Sequence, residues 1–258
     1  MIRSLSRGLD ILAFINKHHS VSPAFLAKKL KVPRATVYRI LDTLTEKGFI
    51  YQHPSDGQFR MTEKVRTLSY GFTQEYDVDR LSRDLMKQIT EELVWPVSLA
   101  AISGIDLVVR ENTDEASPLA VEKFTVGYRM PILSTASGIC ILAFMDSKAC
   151  SILLNMLAQV NRQQDREVHN KTKLNKVLRQ VKKQGYATHD RKRERFTISA
   201  ISVPILSETR IHGALTLRYS QPALTPQQVV TSILPKLTEA AQHCSERLSK
   251  LQQSLADQ

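Results

Sequence analysis

The chain of 258 residues is poor in cysteine, carries a single tryptophan and has no long apolar run. Its three cysteines, Cys140, Cys150 and Cys244, form no CxxC pair, which argues against a disulfide scaffold and a thiolate zinc site. No apolar stretch approaches the roughly 20 residues that span a bilayer, and the N-terminal residues lack a secretory core. The expectation is a soluble protein of the reducing cytoplasm with no membrane partner. Catalytic signatures are missing too. There is no GxSxG, GxGxxG or Walker loop, and His18-His19 has no partner at metal-ligand spacing. No catalytic residue, metal or cofactor is therefore expected. Leu, Ile and Val do recur throughout, so the chain is not disordered, and its length allows one large or two modest domains.

What is present is positive charge. Lys and Arg number 36 against 25 Asp and Glu, a net of +11. Residues 1–75 hold 12 basic and 6 acidic side chains, a net of +6, whereas the remaining 183 residues hold a net of only +5. The N-terminal segment is the better candidate for contact with phosphates.

That segment reads as three helices and a hairpin. The first helix takes Leu5, Leu9, Leu12 and Ile15 as an apolar stripe, with Ser4 or Ser6 as its cap. The second starts at Ser22-Pro23, an N-cap followed by Pro at the first helical position. The third runs from Arg34 to about Lys47, buries Val37, Ile40, Leu41 and Leu44, and stops at Gly48. Strands Phe49–Gln52 and Gln58–Met61 then flank a His-Pro-Ser-Asp-Gly turn. This order is that of a winged helix-turn-helix. Opposite the buried face, the third helix presents Ala35 and Arg39, flanked by Thr36 and Tyr38, with Arg34 at its start. Ala35 permits close approach to a groove floor, Arg39 can donate twice to guanine, and Thr36 can bond a phosphate or base edge. Arg60, with His53 and Gln58, places polar groups on the wing for backbone contact. The bland alternative, a merely solvated helix face, lacks a reason for turn, reader and wing to occur in this order.

Val65, Leu68 and Phe72 imply a linker helix over residues 64–79, giving a head over 1–63 and a second domain over 80–258. The second domain mixes a helix from Arg80 to the Trp95-Pro96 stop, a hairpin around Gly104, a strand at Leu119–Phe124, helices near 134–144, 147–160 and 173–184, two alternating strands after Gly185, and a last helix capped by Thr225-Pro226. The fold class is α+β, an antiparallel sheet covered by helices. In the last two strands Leu215, Leu217, Tyr219, Ile201, Val203 and Ile205 share one face. The other face carries Ala214, Thr216, Arg218, Ala200, Ser202 and Pro204, small and polar with a cation at its end. That second face suits a cavity for a carboxylate. Cys140 reads as core rather than redox sensor. The run Arg191-Lys192-Arg193-Glu194-Arg195 reads as a solvated or subunit-contacting loop.

The stretches Ser4-Leu5-Ser6-Arg7-Gly8-Leu9-Asp10-Ile11-Leu12 and Arg34-Ala35-Thr36-Val37-Tyr38-Arg39-Ile40-Leu41 resemble the DNA-binding domain of IclR-type bacterial transcription regulators. Gly127-Tyr128-Arg129-Met130-Pro131, Thr135-Ala136-Ser137-Gly138, Gly185-Tyr186 and Ala200-Ile201-Ser202-Val203-Pro204 resemble that family's effector domain, so the resemblance spans nearly the whole chain. Ser55–Arg60, Lys64–Ser69 and Val94-Trp95-Pro96 are most similar to the MhpR-type activators of hydroxyphenylpropionate breakdown. The resemblance implies a GAF-like effector domain, a homodimer or homotetramer on a near-palindromic double-stranded operator, a small organic acid as effector, and RNA polymerase as a further partner. The acid would be aromatic, or alternatively aliphatic, such as pyruvate or glyoxylate. Carried over, the effector residues are Ala200, Thr216 and Arg218 on the strands and Ala136 and Ser137 at a helix start. Met130, Leu133 and Leu119 would form an apolar wall, and His189 or Asp190 would stand at an acidic position. Thr216 and Arg218 replace serines of some relatives, which points to the guanidinium as the anion holder. An enzyme with a nucleic-acid head would need a nucleophile and base that the chain does not offer. A constitutive DNA binder would leave the small polar strand face without a use.

Overall fold

The computed structural model of the chain describes residues 2–69, 76–192, 194, 196–207, 210–221 and 223–256. The backbone divides into two compact units, residues 1–74 and 75–258.

In the first unit, helices α1 (Arg3–His18), α2 (Pro23–Leu30) and α3 (Arg34–Glu46) enclose Ile11, Ile15, Leu26, Val37 and Leu41, all fully buried. Strands β1 (Ile50–Gln52) and β2 (Phe59–Met61) pair antiparallel, and Val21 bridges to Phe59 as a third short rung. Ser22 accepts a hydrogen bond from the Phe25 amide and caps α2, with Pro23 opening the helix. Beyond α3, Gly48 sits at φ +73°; its N–H reaches the Thr45 carbonyl and the Phe49 N–H reaches Leu44. That pair of bonds closes the helix end and needs a left-handed residue. Helix α1 differs from expectation. Ile11 and Ile15 face the core while Leu5 and Leu9 stay exposed, and Ile2 rather than a serine stands at the cap. Leu5-Leu9-Leu12 and Ile11-Ile15 both satisfy helical spacing, so only the packing partners on α3 and β2 decide which is covered. A 3-10 stretch, Glu63–Ser69, follows β2. Of the expected linker helix, residues 70–75, including Phe72, lie outside the described residues.

The second unit holds a six-stranded antiparallel sheet. Its strands are β3 (Val97–Ser103), β4 (Asp106–Asn112), β5 (Arg129–Met130), β6 (Ala187–Lys192), β7 (Thr197–Leu206) and β8 (Ile211–Ser220), in the order β5-β4-β3-β8-β7-β6. Helices α4 (Tyr76–Leu93) and α9 (Leu234–Ala256) cover one face, where Leu99, Ile201, Val203, Leu215 and Leu217 form an apolar core with Met86 and Leu237. A capping box at Thr225 opens the short helix α8 (Pro226–Gln228), which runs through a π turn (Val229–Ile233) into α9. Helices α5 (Ala136–Phe144), α6 (Ser147–Val160) and α7 (Lys171–Gln184) gather a second core over the opposite face. Small residues make this possible: Ala100 and Ala214 on the strands let α5 lie close.

Two elements depart from the sequence reading. Leu119–Phe124 is not a strand. Residues 113–128 instead follow an irregular path in which side chains take over backbone pairing. Ser117 Oγ donates to the Val94 carbonyl at 2.6 Å, Asp114 accepts from the Phe124 amide at 2.7 Å, and Asn112 donates to the Phe124 carbonyl at 3.1 Å. The edge of β4 is filled by Arg129 and Met130. Conversely, residues 187–192 form edge strand β6, with Arg191 and Lys192 inside it; Arg193 and Arg195 lie outside the described residues. The three cysteines are free and buried, and burial pushes the Cys140 thiol up to about 12 and that of Cys244 to about 11.

Candidate nucleic-acid interface and ligand cavity

Helix α3 turns Val37 and Leu41 inward, which leaves Arg34, Ala35, Tyr38 and Arg39 on its outer side, with Thr36 half-buried. Tyr38 is 51% exposed. Arg34 and Arg39 enter no ion pair among the described residues. No side chain caps the first turn of α3, so the positive end of the helix is not countered locally by an acid. The wing behaves differently. Arg60 donates through Nη2 to Asp56 at 2.6 Å and through Nε to Ser20 Oγ at 3.2 Å, while Ser20 donates to Gln58 at 3.0 Å. Asp56 also accepts from the Gln58 amide. The wing cation is thus engaged in fastening the turn to the segment before α2, and its neighbour Gln58 is engaged with it.

In the second unit, the polar face of the sheet and the start of α5 enclose a cavity with about 530 Å³ of space, its open mouth included. The floor is Ser98, Ile198, Ala200, Thr216 and Arg218; the walls are Phe124, Met130, His189, Arg191 and residues 134–137. Thr135 caps α5 by accepting from the Gly138 amide at 3.1 Å. Gly138 is required there, since a Cβ would fall 2.0 Å from the Ile132 carbonyl oxygen. The turn before α5 is pinned from behind, where buried Asp165 accepts from the Leu133 amide at 3.1 Å. Below the helix start, the hydroxyls of Ser137, Thr216 and Ser202 form a buried chain with 2.9 and 2.8 Å links. His189 is half-buried, and burial, opposed by Asp190 and Glu167, moves its pKa below the usual histidine value. It lines the cavity, where burial favours its neutral form.

Arg218 is nearly enclosed. It forms an ion pair with the fully buried Asp114, donates through Nη1 to the Glu122 carbonyl at 2.8 Å, and lies 4.5 Å from the centre of the Phe124 ring. Its Nε has no hydrogen-bond partner among the described residues. Burial drives the Asp114 carboxyl up and the Arg218 guanidinium down, and each opposes the other's shift. The guanidinium expected to hold an anion at the end of the strand thus has its charge already balanced by Asp114.

Of the residues expected at the effector site, Met130, Ala136, Ser137, Ala200, Thr216 and Arg218 meet around this cavity. Three do not. Leu119 lines an adjoining recess with Trp95, Glu122 and Tyr219, which shares Ile198 and Arg218 with the cavity. Leu133 is buried beneath the turn and borders a neighbouring cleft beside α7. Asp190 points to the opposite side of β6, where it accepts from Ser199 at 2.6 Å, and its neighbour His189 is the one that enters. Period-two alternation along β6 separates the two. Ser98, Phe124 and Arg191 were not anticipated. The alternation Val97-Ser98-Leu99-Ala100 carried the signal for Ser98; nothing local signals Phe124, which arrives on the irregular loop.

A helix-turn-helix head followed by a sheet domain with such a cavity is the build of a DNA-binding transcriptional regulator with an effector domain. The family model "IclR helix-turn-helix domain" matches residues 4–54, and "Bacterial transcriptional regulator IclR C-terminal" matches residues 71–246. The chain belongs to the IclR family of bacterial transcriptional regulators. It is 25% identical over 248 residues to the Pca regulon regulatory protein of Pseudomonas putida, covering 95% of this chain and 84% of the relative. Its fold is similar to that of the Thermotoga maritima IclR, with a TM-score of 0.74 at 21% identity over 96% of this chain and 100% of the other. An IclR homologue of Microbacterium hydrocarbonoxydans, solved with 4-hydroxybenzoate, gives a TM-score of 0.68 at 18% identity over 95% and 98% of the two chains. These relatives are regulators, and the chain is a regulator rather than an enzyme.

Proposed function

We propose that this chain is a cytoplasmic regulator whose operator affinity responds to an aromatic carboxylic acid held in the α5–sheet cavity. The observation that carries this reading is the cavity's two-sided chemistry. Phe124, Met130 and Ile198 supply apolar area for a ring, and residues 134–137, Thr216, Arg191 and Arg218 supply donors for an acid. The 4-hydroxybenzoate bound by the Microbacterium hydrocarbonoxydans relative supports it, and the residues shared with hydroxyphenylpropionate regulators point to the same ligand class. The protein works as a homodimer or homotetramer on a near-palindromic operator, with RNA polymerase as a further partner. The head extends to residue 63 and a linker to residue 79. In the head, Arg34, Ala35, Thr36, Tyr38 and Arg39 meet the major groove, and Arg60 holds the wing against the flanking backbone. Effector and operator are linked reciprocally: whatever factor the acid imposes on DNA affinity, DNA imposes on the acid.

A thermal-shift panel of 4-hydroxybenzoate, hydroxyphenylpropionates, benzoates, cinnamates, pyruvate and glyoxylate tests the ligand class. At about 100 times Kd a true effector adds about 2.7 kcal/mol. Aromatic acids are expected to raise Tm and to change operator affinity. A response confined to pyruvate or glyoxylate would overturn the aromatic reading.

A further inference from the structure

Two arginines line the cavity, and the protein holds them in different ways. Arg218 is paired with a carboxylate that has no exposure at all. Drawing that guanidinium away leaves Asp114 buried and uncompensated, the costly way to break an ion pair. Arg191 stands at the mouth, on the same face of β6 as His189. Its side chain keeps 45% of its surface in solvent, and it pairs with Glu122, whose side chain keeps 21% although the Oε2 that meets Arg191 is itself covered. Such a partly exposed pair exchanges more easily than the Arg218–Asp114 pair, because water reaches the guanidinium while partners change.

An entering carboxylate needs a cation, and the two choices differ in consequence. At Arg218 the acid would add a second negative charge beside Asp114. At Arg191 it would take the place of the Glu122 carboxylate, which reaches that guanidinium from the adjoining recess, one anion for another. The exchange does not require the loop to open. The backbone there is held independently, by Arg218 Nη1 on the Glu122 carbonyl at 2.8 Å and by Asp114 on the Phe124 amide at 2.7 Å. The exchange parts the two side chains and leaves the loop backbone in place.

We propose that Arg191 is the anion subsite of the cavity and that Glu122 is its built-in occupant, which a planar aromatic monocarboxylate displaces on binding. This rests on the effector reading above. It makes Glu122 a selectivity residue: the acid must compete with it, whereas a neutral ligand of the same shape has no reason to.

The test uses the full chain, isothermal calorimetry, and two probes, 4-hydroxybenzoate and its neutral isostere 4-hydroxybenzamide. Glu122→Gln is expected to tighten the acid about tenfold and Arg191→Gln to weaken it about tenfold, with amide affinity unmoved in both. Both side chains are partly exposed, and an unchanged Tm of each variant without ligand checks that folding is intact. Equal acid affinity in wild type and both variants would overturn the exchange while leaving the effector reading in place. A parallel gain for acid and amide in Glu122→Gln would overturn it too, since that result means a wider mouth. If neither probe binds wild type or Glu122→Gln, the exchange and the aromatic reading fall together.

Discussion

The head and the second unit treat their arginines in opposite ways. On α3, Arg34 and Arg39 stand in solvent without an ion-pair partner among the described residues. In the cavity, Arg218 lies against buried Asp114 and Arg191 against Glu122. The difference matches what each is proposed to meet. A duplex is a large surface of phosphates, and a cation waiting for it in water suffers no desolvation before contact. A cation lining a cavity would be stranded in a low dielectric if it waited alone, so the protein supplies it with an anion of its own. Readiness for a ligand thus looks like exposure in one unit and like a provisional pairing in the other.

The largest effect that can break this contrast is at Arg218. Arg218→Ala removes the partner of a fully buried carboxylate and is expected to destabilise the second unit by about 3–5 kcal/mol in urea denaturation. The double change Arg218→Met with Asp114→Leu should recover most of the loss, because neither charge is then left over. A single mutant as stable as wild type would mean that the pair is not a structural clasp. Next comes Arg39→Ala on α3, which should leave stability within about 0.5 kcal/mol. It should cost about 1–3 kcal/mol of operator discrimination in competition titrations with scrambled DNA. Equal losses on operator and scrambled DNA would reassign Arg39 to backbone contact. The smallest effect is expected at Arg60, which resembles the cavity arginines more than its neighbours on α3. Arg60→Ala breaks a partly exposed pair with Asp56 worth about 0–1 kcal/mol. It should weaken operator and scrambled DNA alike; a loss specific to one base pair would show that Arg60 reads sequence.

Much of this was readable from residues. The alternation in residues 197–206 and 211–220 separates the core face from the cavity face, and Ser22-Pro23, Gly48 and Thr225-Pro226 mark helix ends by their local chemistry. What escaped depends on partners distant in sequence. The choice between Leu5-Leu9 and Ile11-Ile15 is made by α3 and β2. The course of residues 113–128 is set by Asp114, Asn112 and Ser117 bonding backbone far along the chain. Strand β6 is obscured by its charged His-Asp-Arg-Lys run, and with it went the place of Arg191 beside the cavity. A strand that exists because an edge is available to receive it leaves little trace in its own composition.

The state of the three cysteines has a practical consequence. Each is buried, and burial holds the thiols of Cys140 and Cys244 at about 12 and 11, so almost no thiolate is available near pH 7. A single cysteine introduced at Ser55, on the exposed turn of the wing, would meet a maleimide dye far more readily than the three buried thiols. A fluorophore there reports the wing alone, on a chain whose native thiols need not be removed first.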